Sequence, residues 1–163
     1  MADGLVYIYA GDGRGKSPAA IGRAIQAAVA GKNVVIIQFL KGNGLMDSDF
    51  LRRLEPEVKL FRFEKSDENF EQLPEEKKRE EIGNIRNGMN FAKKVLATGE
   101  CDLLILDEVL GLVEKEILSV EDVKAMVECR EDTSVILTGI KLDEDICALA
   151  DEVSKIETVN LRI

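Results

Sequence analysis

The sequence contains no histidine and no tryptophan in 163 residues, and only three cysteines, three prolines and two tyrosines. Without histidine there is no His-based acid–base catalysis, no Ser-His-Asp triad and no His-ligated metal. Cys101, Cys129 and Cys147 are widely spaced and odd in number, with no C-x-x-C, which argues against a disulfide framework or a zinc site. They read as small buried apolar residues of a reducing compartment, so the expected location is cytoplasmic. No apolar run approaches the roughly 20 residues that a membrane-spanning helix needs. Met1-Ala2-Asp3-Gly4 offers no basic region ahead of an apolar stretch, so a signal peptide is not expected. Basic residues are also in deficit, 22 against 31 acids for a net charge of −9. Such a chain is a poor candidate for binding nucleic acid.

What is present is an ordinary globular balance, 45% apolar and 33% charged. The length suits one domain over residues 1–163. Apolar strands alternate with helical patterns. Leu5 to Tyr9 and the continuous runs Val34–Ile37, Leu103–Leu106 and Ser134–Leu137 read as strands. Val58 to Phe63 and Val153 to Val159 are further strand candidates. Between them, Ala20, Ile21, Ala24 and Ala28 fall at helical spacing. So do Ile82, Ile85, Met89, Ala92 and Leu96, a stripe that reads as core. Helices are also expected after Glu108 and near Asp143–Leu149, and residues 42–57 read as a loop. Residues 64–81 carry eight acids against Lys65, Lys77, Lys78 and Arg79, which suggests a solvated face or a mobile loop. Strands separated by helices imply βαβ units, hence a three-layer α/β domain with a mainly parallel sheet.

The densest chemical signal is Ala10-Gly11-Asp12-Gly13-Arg14-Gly15-Lys16-Ser17. It matches a phosphate-binding P-loop with alanine at the usual first glycine. The glycines let backbone N–H groups turn toward a phosphate, and the helix that starts here points its positive end the same way. Lys16 adds a mobile cation for the distal phosphates, and Arg14 is a second. Ser17 offers a hydroxyl to a phosphate-bound Mg²⁺. Pro18 suits a first helical turn, where its missing N–H has no partner to lose.

Leu103 to Leu106 leads into Asp107-Glu108, the pattern of a Walker B strand. In parallel sheets ligands sit beyond the carboxyl ends of the strands, so Ser17 and these acids can converge on one Mg²⁺. Asp107 also suits a helix N-cap, and Glu108 a first helical turn. Thr138-Gly139 offers either a sensor-like hydroxyl or a plain turn. Ile140-Lys141-Leu142-Asp143 lacks the asparagine of a guanine-reading N-K-x-D, which disfavours a GTPase.

Taken in order along nearly the whole chain, these blocks resemble the P-loop ATP:corrinoid adenosyltransferases, which act on cob(I)alamin or cob(I)yrinic acid a,c-diamide. The glycine loop is similar to that family's G-N-G-K-G-K-T. Gln38-Phe39-Leu40-Lys41-Gly42 resembles its Q-F-x-K-G and makes the match specific. The apolar strand ending in Asp107-Glu108, then Leu137-Thr138-Gly139 and Ala150-Asp151, resemble its remaining segments. The resemblance implies transfer of the 5′-deoxyadenosyl group of ATP to a reduced corrinoid, with release of triphosphate. The nucleophile is then the cobalt of the corrinoid, which suits a chain without histidine. It implies ATP held by Gly11, Asp12, Gly13, Arg14, Gly15, Lys16 and Ser17, with Mg²⁺ at Ser17 and Glu108. Lys16, Asp107 and Glu108 are the implied catalytic groups. It further implies a homodimer and a flavoprotein reductant as a partner.

The chain departs from the family at the corrinoid side. The family's G-F-T-W segment has Asn69-Phe70-Glu71-Gln72 as its nearest counterpart, with Phe70 standing for the phenylalanine and no tryptophan. Ile140 stands where the family has the arginine of L-T-G-R. Two other readings of the same residues stay open. One is a P-loop ATPase or small-molecule kinase that uses Asp107 or Glu108 as base or water-positioner. The other is a non-catalytic ATP-binding sensor diverged from the family.

Overall fold

The computed structural model describes residues 3–12, 14–40 and 49–162. Gly13, and Lys41 and Gly42 of the Q-F-x-K-G block, lie outside the described residues. The strands are β1 (Val6–Ala10), β2 (Val34–Gln38), β3 (Val58–Arg62), β4 (Leu103–Asp107), β5 (Ser134–Gly139) and β6 (Glu152–Lys155). They form one sheet in the order β3-β2-β4-β5-β1-β6. Every pairing is parallel. The helices are α1 (Lys16–Val29), α2 (Asp49–Arg52), α3 (Glu75–Thr98), α4 (Val109–Glu114), α5 (Val120–Val127) and α6 (Glu144–Cys147).

The continuous apolar runs become strands because both faces of the sheet are covered, as parallel sheets require. On one face lies α1, whose small Ala20 and Ala24 are fully buried against Val34, Ile36, Ile105 and Ile136. On the other face α3 packs Ile85, Met89, Ala92, Val95 and Leu96 against Val35, Ile37, Leu104 and Leu106. There α4 and α5 complete the layer with Leu112, Val123 and Met126. Cys101 is buried in this second core, and burial pushes its thiol up to about 12, so it packs as an apolar residue. Ser119 caps α5 reciprocally: its hydroxyl accepts from Asp122 N and its own N–H donates to Asp122 Oδ2.

Some boundaries differ from the sequence expectations. Within the stretch read as a loop, Asp49–Arg52 forms a short helix. The last strand starts at Glu152 and ends at Lys155, four residues before Val159. Helix α3 begins at Glu75, well inside the acid-rich stretch. That stretch is not merely a solvated face, because Glu81 is only 4% exposed. Its carboxylate accepts from Lys65 N at 3.0 Å and from the side-chain amide of Asn84 at 2.9 Å. A carboxylate drawn into the fold in this way ties the chain after β3 to α3.

Candidate nucleotide and corrinoid site

Parallel strands bring all their carboxyl ends to one edge, and the site lies there. The glycine loop leaves β1 and runs straight into α1. Gly15 occupies the N-cap of that helix with no side-chain cap, and its first turn holds no acid. Neither a capping side chain nor a first-turn carboxylate therefore takes its opening N–H groups. Pro18 sits third in α1, within the first turn as expected. Lys16 and Ser17 are 7% and 6% exposed.

Strand β5 lies between the strand that launches the loop and the strand that carries the acids. Its Thr138 is the link between them. The Asp107 Oδ1 accepts from both Ser17 Oγ and Thr138 Oγ1, each at 2.8 Å. Thr138 Oγ1 in turn accepts from the backbone N–H of Glu108 at 2.8 Å. The hydroxyl hinted at by Thr138-Gly139 is therefore engaged, inside β5 rather than in a turn after it. Asp107 ends β4, and the residue at the N-cap of α4 is Glu108, in the left-handed region at φ 65°. That conformation costs a non-glycine residue about 1 kcal/mol and turns the side chain back toward the loop. Glu108 Oε1 lies 3.0 Å from Lys16 Nζ. Burial pushes the Glu108 carboxyl above the usual range, against the opposing pull of the Lys16 ammonium. The acids thus divide the labour: Asp107 orders the two hydroxyls, and Glu108 holds the lysine.

The donor set fits a hard cation. Ser17 Oγ gives its proton to Asp107, which leaves its lone pairs free, and the neighbouring groups are carboxylate oxygens. Among the described residues no cluster of three or more acidic or cysteine side chains forms a metal cage. A cation here would therefore complete its shell from phosphate and water, the habit of Mg²⁺.

The glycines have a second reason to be glycines. A Cβ on Gly11 would stand 1.9 Å from the Ile156 carbonyl oxygen, and Gly11 itself has φ +155°. A Cβ on Gly15 would meet the Ile156 side chain at 2.7 Å. The segment after β6 crosses the loop, with Ile156 N donating to Ala10 O and Arg14 N to Thr158 Oγ1. Asp12 and Arg14 are exposed on the outer side of the loop. The sequence offered no signal for this crossing, because backbone contacts carry no residue-type pattern.

A cavity of about 230 Å³ opens beside Glu108. Phe70, in a single 3-10 turn, lines it together with Leu40, Glu64, Lys115 and Ile140. Residue 140, the position of the family's arginine, therefore borders this cleft, and here it presents an apolar side chain that is 44% exposed. Lys115 is paired with Glu71 across the cleft, which holds the exposed Glu71 carboxyl below its usual range. Sequence reasoning missed Glu64 and Leu40. Leu40 has φ 51°, and its N–H donates to Glu64 Oε1 at 2.8 Å. Burial pushes the Glu64 carboxyl up, with that N–H opposing.

With this geometry in view, comparison with known proteins gives a consistent answer. The family described as "ATP:corrinoid adenosyltransferase BtuR/CobO/CobP" matches residues 2–162. The corrinoid adenosyltransferase of Escherichia coli strain K12 is 32% identical over 160 residues, covering 96% of this chain and 78% of its own length. The corrinoid adenosyltransferase CobA of Salmonella typhimurium is 31% identical over 157 residues, with the same shares covered. That of Pseudomonas aeruginosa is 27% identical over 158 residues, covering 96% of this chain and 76% of its own. No described helix is long and apolar enough to cross a membrane.

Proposed function

Because this chain belongs to the ATP:corrinoid adenosyltransferase family, we propose that it transfers the 5′-deoxyadenosyl group of ATP to the cobalt of a reduced corrinoid. Cobalt(I) supplies the electron pair, a cobalt–carbon bond forms at C5′, the C5′–O bond breaks, and triphosphate leaves with that bond's electrons. The observation that carries this reading is the closed group of Ser17, Asp107 and Thr138 beside the Lys16–Glu108 pair. It is a phosphate grip already organised before substrate arrives, next to an open cleft.

The reaction asks little acid–base chemistry of the protein. It asks for position and for a place to put negative charge. Lys16, with Gly11 to Ser17 around it, receives the polyphosphate and leaves Glu108 as it does so. Mg²⁺ held by Ser17 and Glu108 would add charge neutralisation on the departing triphosphate. Asp107 fixes the direction of Ser17 and never needs to exchange a proton. Phe70 and the cleft beside Glu108 receive one face of the corrinoid. A cavity of about 230 Å³ cannot enclose a macrocycle, so the corrin remains largely outside it.

The whole of residues 1–163 acts as one domain on this reading. The protein works in the cytoplasm as a homodimer, with a flavoprotein supplying the electron that produces cobalt(I). An ATPase or kinase reading finds less support, because Asp107 is engaged by two hydroxyl donors and Glu108 by Lys16. Incubation with Mg-ATP and chemically reduced cobalamin under anoxia tests the assignment. Adenosylcobalamin and triphosphate are the expected products. ADP without a cobalt–carbon bond would replace it with the hydrolase, and tight ATP binding without turnover would replace it with the sensor.

A further inference from the structure

One residue at the end of β2 is not explained by the fold. Val34 to Ile37 are apolar and buried, and Gln38, which follows them, is just 2% exposed. Among the described residues, neither its Oε1 nor its Nε2 has a hydrogen-bond partner. Buried polar groups are nearly always satisfied, so an amide with both ends open has a ligand-shaped reason. Strand alternation places Gln38 on the face of Val34 and Ile36, the face that α1 covers. The ladder registers it directly against Asp107 of β4, the carboxylate that holds Ser17. Neighbouring strands are about 4.8 Å apart, so the open amide stands next in line to the phosphate grip.

The chemistry of the side chain narrows what it can take. A carboxamide offers one donor group and one acceptor and carries no charge. It can therefore give a hydrogen bond to a phosphate oxygen beside Asp107, while Ser17 and Thr138 stay on that carboxylate. A lysine in its place would bind Asp107 and draw it from Ser17. A glutamate would repel both Asp107 and the phosphates. Neither does a carboxamide accept a proton, so it holds a neighbouring water without activating it for attack on ATP.

We propose that Gln38 is a binding residue for the triphosphate part of ATP, its Nε2 donating to a phosphate oxygen and its Oε1 accepting from a phosphate-bound water. The assignment rests on the reading of this site as an ATP site, and it adds a contact from β2 to those made by the glycine loop.

The test uses Gln38→Leu and Gln38→Met, which keep the bulk and remove the amide. Each nucleotide-free protein is melted, and binding of Mg-ATP and of inorganic triphosphate is measured by calorimetry. Because the amide is unsatisfied in the free protein, the melting temperature should stay level or rise. Affinity for both ligands should fall about 10- to 100-fold, as expected when a hydrogen bond to a charged group is lost. Unchanged affinity for triphosphate would overturn the proposal. So would a marked loss of stability in both nucleotide-free variants, which would place the amide's partners inside the fold. No corrinoid enters the measurement. Failure of the wild type to adenosylate any corrinoid would therefore refute the transferase while leaving the Gln38 result readable.

Discussion

The two sides of the site are built on different terms. At the loop, Lys16, Ser17, Asp107, Glu108 and Thr138 are all buried and joined by short contacts between 2.8 and 3.0 Å. At the cleft, Phe70 is only partly buried, Glu71 and Lys115 pair near the surface, and Ile140 faces solvent. The first side is stiff before ligand binds, because a buried polar network tolerates few arrangements. The second is loosely determined, because exposed pairs contribute little and are easily exchanged. The places of the family's missing tryptophan and arginine, near Phe70 and at Ile140, fall on the second side. The lesson is that the group around Lys16 is anchored in the core, while the cleft around Phe70 is left to the surface.

The contrast can be broken from the stiff side first. Lys16→Ala should lower ATP affinity and turnover about 100-fold, since it removes a charge-assisted contact and leaves Glu108 buried without its cation. Adenosylation equal to wild type would mean the loop is not the ATP site. Thr138→Val comes next. It removes the donor to Asp107 and the acceptor of the Glu108 N–H, both buried. Urea denaturation should show a loss of about 1–3 kcal/mol, with weaker ATP binding as well. A stable, fully active variant would show the network to be dispensable.

The rim side should respond more gently. Phe70→Ala should slow adenosylation about 3- to 10-fold and spare ATP affinity, the signature of a lost stacking surface. An unchanged rate would make Phe70 a packing residue. The smallest effect belongs to Glu64→Gln. Burial raises the folded-state value of this carboxyl above its unfolded one, so the folded protein holds the proton more tightly. Its contribution is therefore favourable below the ordinary glutamate range and is lost as pH rises through the raised value. The carboxamide still accepts from Leu40 N and carries no charge. The variant should melt roughly 1–3 °C higher than wild type near neutral pH, with the gap closing on acidification. A gap that widens in acid would contradict the burial argument.

How much was legible in the sequence follows the same division. The strands Val34–Ile37 and Leu103–Leu106 were readable because a parallel sheet buried on both faces leaves uninterrupted apolar runs. The stripe of α3 was readable from its period, with Ile82 only partly buried and Val95 overlooked. The glycine loop with Lys16 and Ser17 was readable as a motif because its residues are adjacent in the chain. Glu81 was not, since one buried carboxylate among eight acids looks like its exposed neighbours. Thr138 stood equally for a turn or a hydroxyl ligand until its neighbours across the sheet were known. Which acid meets which partner was not legible either: Ser17 donates to Asp107, while Glu108 turns to Lys16.

By itself the sequence determined the α/β class, the glycine loop between β1 and α1, the acid-tipped strand and, through Gln38-Phe39-Leu40 and its companions, the family. Those signals are local: each is a period or a spacing within one stretch of chain, set by helix geometry, strand alternation or the needs of a phosphate. Only the tertiary structure decided that β5 stands between loop and acids, that Thr138 bridges them and that Ile156 crosses Gly11. It alone also left the amide of Gln38 open beside Asp107. These are contacts between residues far apart in sequence, and strand order and register, which no local pattern encodes, bring them together.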